Sequence, residues 1–311
     1  MKLHCFDRKF LHSSPSLMPI QLPSPMCETH LWYVMPSEVK SKALLNQYLD
    51  VLPSCEKDYV FQMHGEEPRK RALLARALVR TTIARCMLSP RSLRFRKNVH
   101  GKPEVKWQFS DQWRSPPLHF NISHTSSLVA CGVTINSQIG IDVEEKHRTI
   151  KHSILSFARR YFSKDEVLFL ADILDPEVQR HEFVKLWTLK EAYVKALGRG
   201  FSGASFKTFT IHYKGSSFSP LENSNSEVLC SHAQEIVVDF FDDPLNLTRN
   251  WQFLLLELAG SHYAAICVEN NGAIEGKRTI QVNLTVWKAI PFLEDECVSG
   301  TDAVKTISGL K

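Results

Sequence analysis

Two segments of this chain decide its fold, QIGIDVE at residues 138–144 and LWTLKEAYVKALG at residues 186–198. The first segment is typical of a buried strand that ends in two acids. Because side chains alternate between the two faces of a strand, Asp142 and Glu144 are expected to point the same way. The second segment is typical of a helix, which places Glu191 and Lys195 one turn apart.

The acids of these two segments suggest a metal site. Carboxylate oxygens suit a hard divalent cation that keeps part of its water shell and binds substrate phosphates. Each feature alone has a simpler explanation, because a Glu–Lys pair one turn apart is usually a surface ion pair worth about 0.2–0.5 kcal/mol. Acids after a strand are often part of a solvated loop. The metal site therefore depends on the combination of these acids with the segments upstream.

Length and composition are those of an ordinary globular protein. The 311 residues can bury a large core, as one large domain or two smaller ones, and 43% hydrophobic and 23% charged residues are average values. No apolar run approaches the ~18 residues of a membrane helix, so we expect no membrane partner. A monomer is expected.

Cysteine usage and the first residues bear on the compartment. The eight cysteines form no CxxC pair and no signal peptide is recognisable, which favours a reducing compartment. Residues 1–28 are rich in Ser, Pro, Met and His and are interpreted as a disordered or targeting extension. We therefore expect a cytosolic protein, with the mitochondrial matrix as the alternative if this extension is a transit segment.

Basic residues are concentrated between Arg69 and Lys102, in a chain of net charge +5. Nucleic acid is one possible ligand of such a region. However, these side chains are not interleaved with aromatic residues that could stack on bases, and we expect no nucleic-acid partner. A phosphate-bearing small molecule or an acidic protein fits the charge equally well.

Local signals predict helix ends. A helix over residues 38–49 would begin at Ser37, which can cap it. A second helix is expected over residues 175–197. It has Pro176 at its first position and Gly198 as its C-terminal stop.

The predicted fold class is α+β, with two similar α/β subdomains that each pack a small antiparallel sheet on a long helix. A repeat supports this duplication, because Ser123-His124 precedes one apolar strand and Ser261-His262 precedes another. A site is expected at the interface between the halves. The expected divisions are an extension at residues 1–28, an N-terminal subdomain at 29–136, a C-terminal subdomain at 137–290 and a flexible tail at 291–311.

Two further segments carry polar groups suited to phosphate. In GKP at residues 101–103 the glycine allows close approach of the backbone to a ligand, and Lys102 could contact a phosphate. In FNISH at residues 120–124 an amide, a hydroxyl and an imidazole follow a strand, and such groups can bind phosphate oxygens. Taken singly, the first is a common surface turn and the second a turn that satisfies its own backbone.

Taken together, these segments resemble the 4′-phosphopantetheinyl transferase superfamily. The resemblance is to its larger, pseudo-dimeric branch, which activates nonribosomal peptide synthetases and the aminoadipate-reducing lysine pathway. It covers about residues 30–270, in family order and with family-like gaps. The matching segments are GKP at 101–103, FNISH at 120–124, IGIDVE at 139–144 and WTLKEAYVK at 187–195.

The resemblance implies a reaction. The 4′-phosphopantetheine arm of coenzyme A would be transferred to a serine of an apo acyl or peptidyl carrier protein, with Mg²⁺, and adenosine 3′,5′-bisphosphate would be released. By match to the family motifs, Mg²⁺ would be held by Asp142, Glu144 and Glu191. The residues implied in coenzyme A binding are Lys97, Gly101, Lys102, Pro103, Asn121, Ile122, Ser123, His124, Asp142 and Lys195.

The chemistry requires these residue types. A serine hydroxyl is a weak nucleophile, so a carboxylate or a metal-bound water must take its proton. Glu191 is the preferred base, directly or through a water, and Lys195 would offset charge on the reacting phosphate. The family often places a basic contact for the 3′-phosphate before the long N-terminal helix. Here Tyr59 is at the aligned position, and Lys57 is the nearest substitute.

The alternative function is a catalytically silent module that binds coenzyme A or a carrier protein. Such a module would be expected to have lost at least one metal carboxylate, whereas all three are present. Three carrier substrates are compatible with the sequence: a fatty-acid carrier of an organelle, a cytosolic multifunctional synthase and a reductase of lysine metabolism.

Overall fold

The computed structural model describes residues 28–84, 93–106, 118–151, 153–199, 205–214, 235–240, 251–270 and 282–310. The predicted extension at residues 1–28 lies almost wholly outside these ranges. The helices are α1 (Lys42–Val51), α2 (Ser54–Gln62), α3 (Glu66–Ala84), α4 (Ile154–Tyr161), α5 (Lys164–Asp172) and α6 (Pro176–Leu197). The strands are β1 (Glu28–Val34), β2 (Phe95–Lys97), β3 (Pro103–Val105), β4 (Leu118–His124), β5 (Val129–Ile135), β6 (Ile139–Glu145), β7 (Phe209–Lys214), β8 (Glu235–Phe240), β9 (Trp251–Leu258), β10 (His262–Glu269), β11 (Asn283–Ile290), β12 (Glu294–Cys297) and β13 (Val304–Thr306).

The strands form two main sheets, as expected for an α+β protein with two subdomains. The first has the order β12-β11-β1-β5-β4 and the second the order β13-β9-β10-β6. The second sheet is antiparallel throughout, whereas in the first sheet β1 pairs with β11 in parallel. The first sheet is therefore mixed, which differs from the predicted antiparallel sheet.

The last strands differ from the expected divisions of the chain. β11 lies within the predicted C-terminal subdomain, yet it pairs with β1 in the first sheet, where Trp32 and Trp287 are in register and stack 6.3 Å apart. The tail at residues 291–311, expected to be flexible, contains β12 and β13, which pair with β11 and β9. These two strands have only four and three residues, too few for a recognisable alternation of apolar side chains.

Helix α1 begins later than predicted. Pro36–Glu38 forms a short 3-10 helix, and the residue that caps α1 is Ser41, whose Oγ accepts a hydrogen bond from the Leu44 amide at 3.3 Å. Ser37 therefore does not cap it. Both serines precede a helix-compatible run, and the proline at position 36 favours the tighter first turn.

Helix α6 has the predicted ends. Asp175 Oδ1 accepts hydrogen bonds from the amides of Glu177 and Val178, and Pro176 is in the first turn. The helix ends at Gly198, whose φ of 64° is in the left-handed region that favours glycine. The helix packs across β6 and β10, with its apolar side buried in the core of the second half.

The edge strands of the two sheets, β4 and β6, lie side by side. Asn121 Oδ1 accepts a hydrogen bond from the Ile141 amide at 3.0 Å, and Ser123 Oγ accepts one from the Val143 amide at 3.3 Å. Two side chains of β4 thus satisfy backbone donors that β6 would otherwise leave unpaired. No helix in the described ranges is long and apolar enough to cross a membrane.

Candidate active site

Gly140 sets the distance between helix α6 and strand β6. A Cβ atom added there would lie 2.0 Å from the Ala192 carbonyl oxygen and 2.2 Å from the Ala196 nitrogen. The helix backbone therefore rests directly on the strand, which only glycine permits. This contact brings the acids of β6 to the helix face that carries Glu191 and Lys195.

Lys195, Asp142 and Ser123 form a hydrogen-bonded cluster from three elements. Lys195 Nζ donates to Asp142 Oδ1 at 2.6 Å and to Ser123 Oγ at 3.0 Å, and Ser123 Oγ donates to Asp142 Oδ1 at 2.9 Å. Asp142 is 5% exposed, and its Oδ2 is buried and makes no hydrogen bond within the described part of the chain. One carboxylate oxygen thus stays available for a further cationic partner.

Glu144 and Glu191 are electrostatically coupled to Asp142. Burial raises the pKa of Glu144 to about 7, and the negative charge of Asp142 adds to the effect. The pKa of Glu191 rises to about 7 for the same two reasons in the same order, with a further contribution from Glu144. A group of carboxyls that resist ionisation together is one that a bound cation would stabilise.

Carboxylate oxygens are suitable ligands for a hard divalent cation, but the structure does not yet bring these three carboxyls together around one point. Among the residues that the structure describes, no three His, Cys, Asp or Glu side chains already form a group that could hold a metal ion. Lys195 engages one oxygen of Asp142, and Arg148 Nη1 donates to Glu144 Oε1 at 2.6 Å. The available Asp142 Oδ2 and the raised pKa values of Glu144 and Glu191 are the features that fit Mg²⁺.

A positive cluster lies beside Asp142 and is formed by Arg71 and Lys195 around His124. Burial lowers the pKa of His124, and the charges of Arg71 and Lys195 lower it further, so both basic side chains lie near His124. The three side chains come from β4, α3 and α6, and together they suit an anionic ligand such as a phosphate. Arg71 was not among the predicted site residues. The sequence pointed to the arginine-rich region as a whole but offered no signal to choose among its members.

Lys102 contacts protein acceptors in the structure, and its expected contact with a phosphate stays a prediction. Its Nζ donates to the carbonyl oxygens of Ile139 at 3.0 Å and Ala196 at 3.2 Å and to Gln138 Oε1 at 3.3 Å, and burial lowers its pKa to about 8. Asn98 Nδ2 donates to the Gly198 carbonyl at 2.9 Å from the same turn. Lys102 thus ties this turn to the end of α6, and its ammonium faces protein carbonyls.

The remaining predicted contacts are placed as follows. Asn121 is 4% exposed and bonded to β6, and Ile122 packs partly buried in the first core. Gly101 has a φ of 91°, which requires glycine, and Lys97 and Pro103 pair across the β2–β3 hairpin. Their roles in ligand binding stay predictions.

The proposed substitute for a 3′-phosphate contact lies on α2. Tyr59 is 46% exposed, and the Arg76 guanidinium stands 4.1 Å from its ring centre. Lys57, on the same helix, is partly buried. A contact of Lys57 with the 3′-phosphate stays a prediction.

Substitution of Lys102 tests whether its contacts are structural. Lys102→Met is expected to lower the free energy of unfolding by about 1–3 kcal/mol, because three acceptors in a partly buried site lose their donor. Urea denaturation measures the change. The control is Lys97→Met, an exposed lysine on β2 whose replacement should change stability by less than about 0.5 kcal/mol. Equal stability of the two variants would contradict the structural role.

Two family sequence models match successive parts of the chain. Residues 38–135 match the N-terminal region of 4′-phosphopantetheinyl transferases, and residues 138–266 match the 4′-phosphopantetheinyl transferase superfamily. The second match contains the strand with Asp142 and the helix with Glu191 and Lys195.

Curated relatives agree with these matches. The chain is 31% identical over 174 residues to the 4′-phosphopantetheinyl transferase HetI of a Nostoc species, covering 56% of this chain and 70% of the relative. It is 35% identical over 144 residues to the transferase Sfp of Bacillus subtilis, covering 45% of this chain and 58% of Sfp. It is 28% identical over 149 residues to the human L-aminoadipate-semialdehyde dehydrogenase-phosphopantetheinyl transferase, covering 47% of this chain and 48% of the relative. The chain therefore belongs to the 4′-phosphopantetheinyl transferase superfamily.

Proposed function

We propose that this protein transfers the 4′-phosphopantetheine arm of coenzyme A to a serine of an apo acyl or peptidyl carrier protein, in a reaction that depends on Mg²⁺. The products are the holo carrier protein and adenosine 3′,5′-bisphosphate. The observation that carries the proposal is the contact of Lys195 with Asp142, beside two acids of raised pKa and a positive cluster. This arrangement suits a diphosphate held between a cation and basic side chains.

The serine oxygen of the carrier forms a bond to the β-phosphorus of coenzyme A. The bond from this phosphorus to the bridging oxygen breaks, and adenosine 3′,5′-bisphosphate leaves with the electron pair. Glu191 accepts the serine proton, directly or through a water. Its pKa of about 7 suits a general base at neutral pH, because such a group can both take and release the proton.

Basic side chains hold the negative charge of the ligand. Lys195 is 29% exposed at its side chain, so its ammonium can reach a phosphate oxygen while it stays beside Asp142. Arg71 adds a second positive charge to this cluster, and His124, whose pKa burial lowers, can offer a neutral ring N–H to a phosphate oxygen. Asp142, Glu144 and Glu191 are the residues that would hold Mg²⁺, which when bound offsets charge on the diphosphate.

The direct test is to incubate the purified protein with an apo carrier protein, coenzyme A and Mg²⁺. We expect the mass of the carrier to increase by one phosphopantetheine group, attached to its acceptor serine. A carrier in which this serine is replaced by alanine should show no increase in mass. Binding of coenzyme A without any mass gain, across a panel of carriers, would instead favour a silent binding module.

The carrier panel identifies the partner class, and two further experiments test the oligomeric state and the compartment. Apo carriers from fatty-acid synthesis, from multifunctional synthases and from aminoadipate reduction should be assayed side by side, and the highest kcat/KM identifies the partner class. We expect a monomer by size-exclusion chromatography with light scattering. Imaging a fluorescent fusion with and without residues 1–28 separates the cytosol from the mitochondrial matrix.

The affinity for Mg²⁺ is expected to decrease as the pH is lowered. A carboxyl with a pKa of about 7 is mostly ionised at pH 8 and mostly protonated at pH 6, and Glu144 and Glu191 both have this pKa. Because the metal must displace these protons, the binding constant should fall about tenfold between pH 8 and pH 6 if one carboxyl binds and about a hundredfold if both do. Isothermal titration calorimetry of the metal alone measures it. An affinity that is equal at the two pH values would contradict ligation by these acids.

A further inference from the structure

The second Ser-His pair, Ser261-His262, has no role assigned to it in the proposed transfer. Its histidine is nevertheless buried and fully hydrogen-bonded through both ring nitrogens. His262 is 1% exposed at the start of β10. Its Nε2 lies 3.0 Å from Thr125 Oγ1 and 3.1 Å from Ser127 Oγ, and its Nδ1 lies 2.9 Å from Ser261 Oγ. Burial lowers the pKa of His262, so near pH 7 the ring is neutral, with one nitrogen donating and the other accepting.

The two hydroxyl partners belong to the turn that directly follows His124. The Thr125 amide donates to the Leu128 carbonyl at 2.8 Å, and Thr125 Oγ1 accepts from the amides of Ser127 at 3.2 Å and Leu128 at 3.1 Å. Within this turn, residues 125–128, the side chain of Thr125 is therefore the internal brace. His262 is bonded to that brace.

The turn is held from the second sheet, whereas the strand before it belongs to the first. Ser126 and Ser127 both donate to Glu145 Oε1, the latter at 2.8 Å, and Glu145 is paired with His262 in the β6–β10 register. Glu145 and His262, both in the second sheet, are therefore hydrogen-bonded to the turn at the end of β4. A rotation of one sheet against the other would be transmitted to this turn.

The direction of the turn sets the direction of the side chains just before it. Ser123 contacts both Lys195 and Asp142, and His124 belongs to the positive cluster with Arg71. We propose that His262 is a positioning residue of the coenzyme A site, which fixes the turn at residues 125–128 through Thr125 and Ser127 and thereby orients His124. This inference rests on the proposed function.

Two substitutions of His262 separate its hydrogen bonds from its volume. His262→Phe keeps a planar ring but loses the contacts, whereas His262→Gln keeps an amide that can reach the two hydroxyls. His262→Phe is expected to raise the Kd of coenzyme A, measured by calorimetry without carrier, and its KM by about tenfold, with kcat changed less than about twofold. His262→Gln should recover most of the affinity. The control is His212→Phe, a half-exposed histidine of β7 paired with Asp239, which should leave Kd and KM unchanged.

Several outcomes would overturn the inference. One is a wild-type Kd for coenzyme A in the Phe variant. Another is a fall in kcat and melting temperature with no change in Kd and no rescue by glutamine, because that result marks a purely structural residue. If His262→Phe does not fold, Thr125→Val decides, since it removes the brace from the other side and should raise Kd and KM in the same way; an unchanged Kd there rejects the role. A wild-type protein that neither binds coenzyme A nor modifies a carrier would overturn the proposed function itself.

Discussion

Gly140→Ala is expected to destabilise the protein by about 3 kcal/mol and to lower kcat/KM for transfer by about a hundredfold. The added methyl group would meet backbone atoms of α6 at 2.0 and 2.2 Å, and a helix backbone cannot rotate away as a side chain can. The helix must shift outward, which carries Glu191 and Lys195 away from Asp142. Thermal or urea unfolding measures the first effect, and steady-state transfer to an apo carrier measures the second.

Gly132→Ala is the matched control for this prediction. A Cβ at Gly132 would also be too close to its neighbours, but these are side-chain atoms rather than backbone atoms, Ile141 Cγ2 at 2.7 Å and Ile139 Cδ1 at 2.9 Å. We expect a cost of about 1 kcal/mol and nearly normal kcat/KM, because no backbone of the site has to move. If Gly140→Ala were as stable and active as Gly132→Ala, the proposed role of Gly140 in the close packing of α6 on β6 would be wrong.

Asp142→Asn is expected to lower kcat for transfer by at least about 10²–10³-fold. The amide keeps the shape of the side chain but removes the charge that pairs with Lys195 at 2.6 Å, and it replaces a carboxylate oxygen that Mg²⁺ would use. The same substitution removes a negative charge next to Glu144 and Glu191, so the pKa values of these two carboxyls should fall. Single-turnover assays give the rate, and titration of the metal alone gives the change in affinity.

Asp239→Asn supplies the same chemical change elsewhere. Asp239 has a 66% exposed side chain and pairs with His212, so its replacement should leave the rate of transfer within about twofold of wild type. Circular dichroism and melting temperature establish that both variants are folded. Near-normal turnover in Asp142→Asn, with a folded protein, would contradict the assignment of Asp142 to the reacting centre.

The features that the sequence predicted well are those with local causes. Helix α6 begins at an aspartate followed by proline and ends at a glycine, and each of these residues acts on its nearest backbone neighbours. The alternation that puts Asp142 and Glu144 on one face is likewise a property of a single strand. Their approach to Glu191 follows from a close strand–helix contact, which Gly140 permits because it has no side chain.

The features that it missed have causes far away in the chain. The protein contacts of Lys102 have no sign in the neighbouring sequence, because the Ala196 carbonyl, 3.2 Å from its ammonium, lies 94 residues later in the chain. Arg71 stands among many basic residues of the same helix region, and only packing of α3 against the end of β4 selects it. His262 appeared as part of a repeat, yet its partners, Thr125 and Ser127, lie more than 130 residues earlier.

The parallel pairing of β1 with β11 has a consequence for the order in which the protein can fold during synthesis. Glu28 is opposite Asn283, so the first sheet cannot be completed until residues beyond 283 have left the ribosome. Until then β1 has one open edge, with the apolar side chains of residues 31–34 beside it. Closure over such a separation is slow, and the waiting edge is exposed to pairing with other nascent chains. Dependence on chaperones during expression is the expected practical result.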